Sequence, residues 1–355
     1  MPDMAALKPT SWIASRSTSH SASRTDPHAP SRSQGISPSS HTTSSSSSIN
    51  LTQHSRLWYK DGKCMVIRAG NQLFRVPRDL LWRYANAFPI GEEGKENTYQ
   101  GTPMVVLDEP SDDVEAFLLV YFNGSFVASL PGRSFSDAET YRIYAGIIRL
   151  SHIYHGMYWR RRALFFLAPM FPTELVHFDK VMRSDKKSRL WAAQGASRLV
   201  VDTARAVGAN WLIPSAMLYL LSEHLRGSAR SRIRKEERPM LIYYARLWQR
   251  CVADMFGPIG CAKCDVTLAN FARKFLSAEF VFSMEIVWEE KSRVKKRMCS
   301  ECKKPFDIRY KMHRKEFWGR LPAICGLGSW MVLAREMRRD TEEDEMYDPP
   351  IYGFM

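Results

Sequence analysis

Apolar positions are sparse and scattered through the first fifty residues, then recur with two different periods. Order is expected from about Leu57. Lys63–Ala69 carries Cys64, Met65, Val66 and Ile67 behind the turn Asp61-Gly62, and Gln72–Val76 follows Gly70-Asn71. Two short β-prone runs around a Gly-Asn turn predict a hairpin. Pro77, near the first helical position, opens an expected helix over Pro77–Ala87. Thr102–Leu107, centred on Val105, Val106 and Leu107, is a third strand candidate.

The period then lengthens to that of a helix. Val114, Phe117, Leu118 and Tyr121 recur at i, i+3, i+4 and i+7 behind the capping pattern Asp112-x-x-Glu115. Ser136-x-x-Glu139 predicts the start of a helix running to about His152, with Tyr141, Ala145 and Ile148 inward. After Gly156, Met157–Ala168 turns Trp159, Ala163, Phe166 and Leu167 to one side. Leu199–Val207 and Pro214–Arg226 follow, and Leu241, Tyr244, Ala245, Trp248, Val252 and Met255 form one stripe before Gly257-Pro258. Such stripes read as core.

Composition changes this picture at the two ends. Residues 1–50 hold 16 Ser, 5 Thr and 5 Pro. Such a segment buries too little apolar surface to offset its ordering entropy, so residues 1–55 are expected to be a disordered tail. Asp340–Asp348 predicts a solvated acidic tail over 340–355. No signal-type apolar segment opens the chain and no apolar run approaches a membrane span, so an intracellular protein is expected. Seven cysteines, an odd number, argue against a secreted disulfide framework.

The formal charge of +14 makes nucleic acid an alternative partner. Its basic clusters, Arg183–Arg189, Arg226–Arg238, Lys291–Arg297 and Arg309–Arg320, also fit solvated helix faces. No phosphate-binding glycine loop and no Gly-x-Ser-x-Gly elbow is present, so a non-catalytic protein is expected.

The order hairpin, helix, strand, paired helices resembles a BTB/POZ domain. Trp58-Tyr59-Lys60-Asp61-Gly62, Met65-Val66-Ile67, Leu73-Phe74-Arg75-Val76-Pro77-Arg78 and Leu80-Leu81 are similar to the opening of BTB domains common in mushroom-forming fungi. Gly101-Thr102-Pro103 with Val105–Leu107, and Asp112–Leu118, resemble that family's third strand and second helix. Ile148–Tyr154 and Arg160–Leu164 resemble its last two helices, and Glu316–Pro322 a motif often found beyond the domain. Tyr84–Phe88 departs from the pattern, where a Ser usually precedes the aromatic.

The resemblance implies an α+β chain. A BTB/POZ domain over 57–172, a small sheet flanked by helices, would precede a mainly helical region over 173–339. It implies association with a second copy or another protein. The aromatics Phe74, Trp82, Tyr84 and Phe88 are interface candidates, with core packing as the alternative. Cullin adaptors of the family usually carry a hydrophobic-x-Glu signature after the second helix. Tyr121–Leu130 contains no Glu, so self-association is preferred.

The remaining chemistry lies in Cys261-x-x-Cys264 and Cys299-x-x-Cys302. Two such pairs supply the thiolates of a tetrahedral zinc. The 34-residue gap is long for a compact zinc ribbon. If Val266–Glu290 were one straight helix it would carry the chain roughly 37 Å away. The eight residues Lys291–Met298 return at most about 28 Å. Free thiols are therefore the expectation, with no cofactor, and a helix break near Ser277 is what a zinc site requires.

Overall fold

The computed structural model describes residues 50–89, 97–134, 137–183, 193, 195–225, 233–276 and 284–342; the backbone alone is described at 222, 225 and 284–289. Residues 1–49, most of the expected tail, Ser136, and 343–355 lie outside this set. The chain is α+β, with a small mixed sheet and a majority of helix.

Five strands make the sheet: β1 Thr52–Trp58, β2 Cys64–Ala69, β3 Gln72–Pro77, β4 Asn97–Tyr99 and β5 Thr102–Leu107, with α1 Arg78–Tyr84 after the hairpin. Their order is β1-β3-β2-β5-β4. The three strands expected from sequence lie side by side: β2 pairs antiparallel with β3 and parallel with β5. Ala69 faces Gln72, so Gly70-Asn71 is the whole hairpin loop.

β2 is central and buries Met65, Val66 and Ile67 on both faces. β1 corrects the boundary of the expected tail, since it is already strand at Thr52. It runs parallel to β3 and is fastened to the helix Ser111–Phe122 by His54, whose Nε2 lies 3.0 Å from Glu115. Tyr59 just beyond it donates its hydroxyl to the Phe122 carbonyl at 2.7 Å.

α2 Ser111–Phe122 is buried nearly all round, between the sheet and α4 Ala138–Ile153. The expected Asp112 cap is not made; the helix starts after Pro110 without a side-chain cap. Asp113 instead faces α4, paired with Arg149, which reaches Thr203 at 3.0 Å. Gly146 permits this approach: a Cβ there would stand 3.0 Å from the Asp113 backbone. At α4, Asp137 caps by accepting from the Glu139 N–H at 3.0 Å.

The short α3 Gly124–Ser129 precedes α4; α5 Met157–Leu167, α6 Leu175–Arg183, α7 Ala196–Val207, α8 Ile213–Leu225 and α9 Arg238–Met255 follow it. α10 Ala262–Leu276, α11 Met284–Arg297, α12 Ser300–Ile324 and α13 Trp330–Thr341 are the last helices among the described residues. The division at 172/173 is crossed by one continuous core: α7 packs on α4, and α13 on α5. Asp340 corrects the solvated-tail expectation. It is 7% exposed, 3.3 Å from Arg160 and 3.1 Å from the Trp211 indole nitrogen.

Among the described residues no single helix is long and apolar enough to cross a membrane. One pair, Ser111–Phe122 with Gly124–Gly132, has the composition but is bent by 102°.

Candidate metal centre

The two Cys-x-x-Cys pairs are built alike. Cys261 stands immediately before α10 and Cys264 lies in its first turn; Cys299 immediately precedes α12 and Cys302 lies in its first turn. Each pair therefore sits on a helix N-terminus, where unpaired N–H groups favour negative charge.

The turn before Cys261 is fixed from several sides. Gly260 takes φ +87°, which an L side chain resists. Asp265 accepts from the Ile259 N–H at 2.7 Å. Arg309 of α12 donates to the Pro258 carbonyl at 2.8 Å and also to that of Gly257. That guanidinium ties the two helices that carry the thiols.

The straight-helix obstacle does not arise. α10 Ala262–Leu276 and α11 Met284–Arg297 pack against each other rather than continuing as one straight helix; Ser277, where the zinc alternative requires a break, lies outside the described residues. At 1.5 Å per residue the chain travels about 22 Å along α10 and returns about 21 Å along α11. The two helices pack together, and Lys274 joins Glu290 at 2.8 Å.

All four sulfurs consequently lie within 4.8 Å of one another. Cys264 and Cys299 Sγ are 3.7 Å apart, and the Cys299 N–H donates to Cys264 Sγ at 3.4 Å. Four ligands at ~2.3 Å from a tetrahedral zinc stand about 3.8 Å from each other. The donor set and spacing fit that ion, and no pair among the four is disulfide-bonded. Cys264 and Cys302 are buried, Cys261 and Cys299 half-buried. Hydrogen bonds from the Cys302 thiol and backbone lower the Cys299 thiol to about 7. Its bond to Cys299, and burial, hold the Cys302 thiol above its ordinary range.

The other cysteines lie apart from this cluster. Cys64 and Cys251 are buried, and Cys325 is half-buried at the end of α12. Burial pushes the Cys251 thiol up to about 11, which leaves it inert.

The aromatic interface candidates are divided by the fold. Phe74 of β3 is fully buried, its ring 5.3 Å from that of His54 on the neighbouring β1, and Phe88 is 2% exposed between Phe117 and Tyr154. For these two the interface reading gives way to the core alternative, because they have no surface to offer. Tyr84 is half-buried, stacked on Tyr121. Trp82 of α1 is 54% exposed. Sequence reasoning missed Arg309 and Asp265, whose roles arise from contacts 51 and 6 residues away.

Comparison with protein-family models, with curated proteins and with solved structures finds no match.

Proposed function

We propose that the chain is a non-catalytic association module of the BTB/POZ kind, whose sheet-bearing half binds a second copy of itself. The observation that carries this reading is the strand arrangement. A tight hairpin, an intervening helix and a third strand in the same sheet are the order that the resemblance over Trp58–Leu81 and Gly101–Leu118 leads one to expect, and that third strand pairs with β2. Trp82, an exposed aromatic on that helix, is the anchor a partner would cover, since such residues dominate interface energies. Tyr121–Leu130 has no Glu and falls in α2 and α3, which disfavours a cullin partner. Light scattering of the full chain at micromolar concentration is expected to return a multiple of 40.9 kDa. Trp82→Glu is expected to shift it toward the single-chain mass. A single-chain mass for the unaltered protein overturns the reading.

A second reading is favoured by the convergence of the four sulfurs. We infer that Cys261, Cys264, Cys299 and Cys302 hold one structural zinc. Four thiolates fill a tetrahedral shell and leave no position for water or substrate, so the ion would tie α10 to α12. Elemental analysis of protein purified without chelators is expected to find one zinc per chain, lost in Cys264→Ser. Protein free of zinc disposes of this reading and leaves the first untouched.

A further inference from the structure

Between Glu290 and Arg320 twelve Lys and Arg side chains stand against four carboxylates. Three of those carboxylates are engaged inside the protein. Glu290 binds Lys274 and Arg293, Asp307 binds Lys291 and Lys295, and Glu316 binds Arg320 and His313. Of the exposed cations left over, Lys296, Arg297 and Lys303 lie elsewhere, while three share one face of α12, with the exposed Glu301 at its N-terminal end. Lys304, Ile308, Lys311, Met312 and Lys315 are all exposed. They recur at i, i+4, i+7, i+8 and i+11, which is one side of α12. The opposite side, with Cys302, Phe306, Tyr310, Arg314, Phe317 and Leu321, is buried.

From this face we propose that α12 is a docking helix for duplex DNA, gripping phosphates without regard to sequence. Lys311 and Lys315 stand one turn apart, about 6 Å, and Lys304 about 10 Å earlier. Strand phosphates recur about every 3.4 Å of duplex axis, so each ammonium has a partner within reach. Ile308 and Met312, 60% and 55% exposed, lie between the ammoniums, where sugar and base edges would meet them. Shape selects this occupant over others. A helix about 10–12 Å across matches the ~12 Å major groove of B-form DNA, while the major groove of duplex RNA is too narrow. An amphipathic peptide needs a groove, which a convex face does not supply. Two apolar side chains are also too few for a lipid surface. The inference goes beyond the association reading and rests neither on it nor on the metal.

The test is fluorescence anisotropy of the full chain with a labelled DNA duplex of roughly two helical turns. The triple variant Lys304→Gln, Lys311→Gln, Lys315→Gln is expected to bind at least tenfold more weakly. Its log–log salt slope should be shallower by between two and three, at about 0.9 per lost phosphate contact. Far-UV circular dichroism and melting should be unchanged, because all three side chains are exposed. Should the triple variant melt early, Lys311→Gln alone serves, with an expected loss of roughly two- to threefold. Arg246→Gln with Arg250→Gln, on the exposed side of α9, is the control and should bind as the unaltered chain does. The proposal is overturned by a triple variant that binds normally or by wild-type affinity that stays flat in salt. It is equally overturned if the α9 control weakens as much, or if duplex RNA or phosphatidylserine vesicles bind more tightly than DNA.

Discussion

The sheet half and the thiol-bearing half of this chain are held together by different means. Around β2 and β3 the interior is apolar and self-sufficient: Val66, Ile67, Phe74 and Val76 have no exposed surface, and the strand ladder sets their register. Between α9 and α12 the helices also bury large aromatic side chains, Trp248, Phe256, Phe306 and Phe317 among them, but no backbone ladder joins one helix to the next. There, polar and sulfur contacts pin the arrangement. Arg314 clasps Asp179, Arg309 holds the 257–258 turn, and four thiols meet where two helices begin. The comparison teaches that alternation with a backbone ladder specifies a sheet locally, whereas the helices of this region are set by an apolar core together with polar contacts between residues far apart in sequence.

The largest expected effect breaks the pinned half alone. Cys302→Ser, or chelation of the proposed zinc, should release metal-binding free energy on the order of 10 kcal/mol. Hydrogen exchange is expected to rise over 257–324 while β2 and β3 stay protected. Loss of protection in both halves at once would show that the two do not differ in this way. Next in size, Phe74→Ala should cost about 3–5 kcal/mol through the cavity left in the core beside β3, read from urea midpoints.

A third change probes a polar pin between α7 and the start of α9. Glu237 is 1% exposed and accepts from Arg198, Arg205 and the Arg234 backbone N–H. Burial alone would raise its carboxyl, but those donors outweigh it and lower the group from 4.5 to about 2. The folded chain thus holds this proton less tightly than the unfolded one. The contribution, about 3 kcal/mol, is complete above pH 4.5 and drains away as the pH falls through 2. Glu237→Gln should flatten that acid limb, compared by denaturant midpoints at neutral pH and at about pH 3. The smallest effect on stability is expected at Trp82→Glu, within about 0.5 kcal/mol, because the ring is mostly in solvent. Its readout is the oligomeric mass.

Legibility followed the same division. Lys63–Ala69, Gln72–Val76 and Thr102–Leu107 were readable as strands because each is a short apolar run bounded by turn residues, and the structure has strands at Cys64–Ala69, Gln72–Pro77 and Thr102–Leu107. β1 was not, because Thr52–Trp58 is an edge strand that buries only His54 and Leu57, too few to mark a period. The Asp112 cap failed as an expectation since the helix already starts at Ser111, after Pro110, which puts Asp112 inside the first turn. The four cysteines could be named from their spacing. Their meeting depended on α10 and α11 packing side by side, and the window Val266–Glu290 carries no proline or glycine that announces a reversal.

By itself the sequence determined the local elements: the hairpin with its Gly-Asn loop, the helical periods, and the chemistry of the two Cys-x-x-Cys pairs. These are legible because turn geometry and amphipathic period act between near neighbours. The tertiary structure alone decided that the sulfurs converge, that Phe74 and Phe88 are interior while Trp82 is not, and that Asp340 is buried against Arg160. Each of those outcomes depends on how separate helices and strands pack, and packing brings together residues that no local period relates.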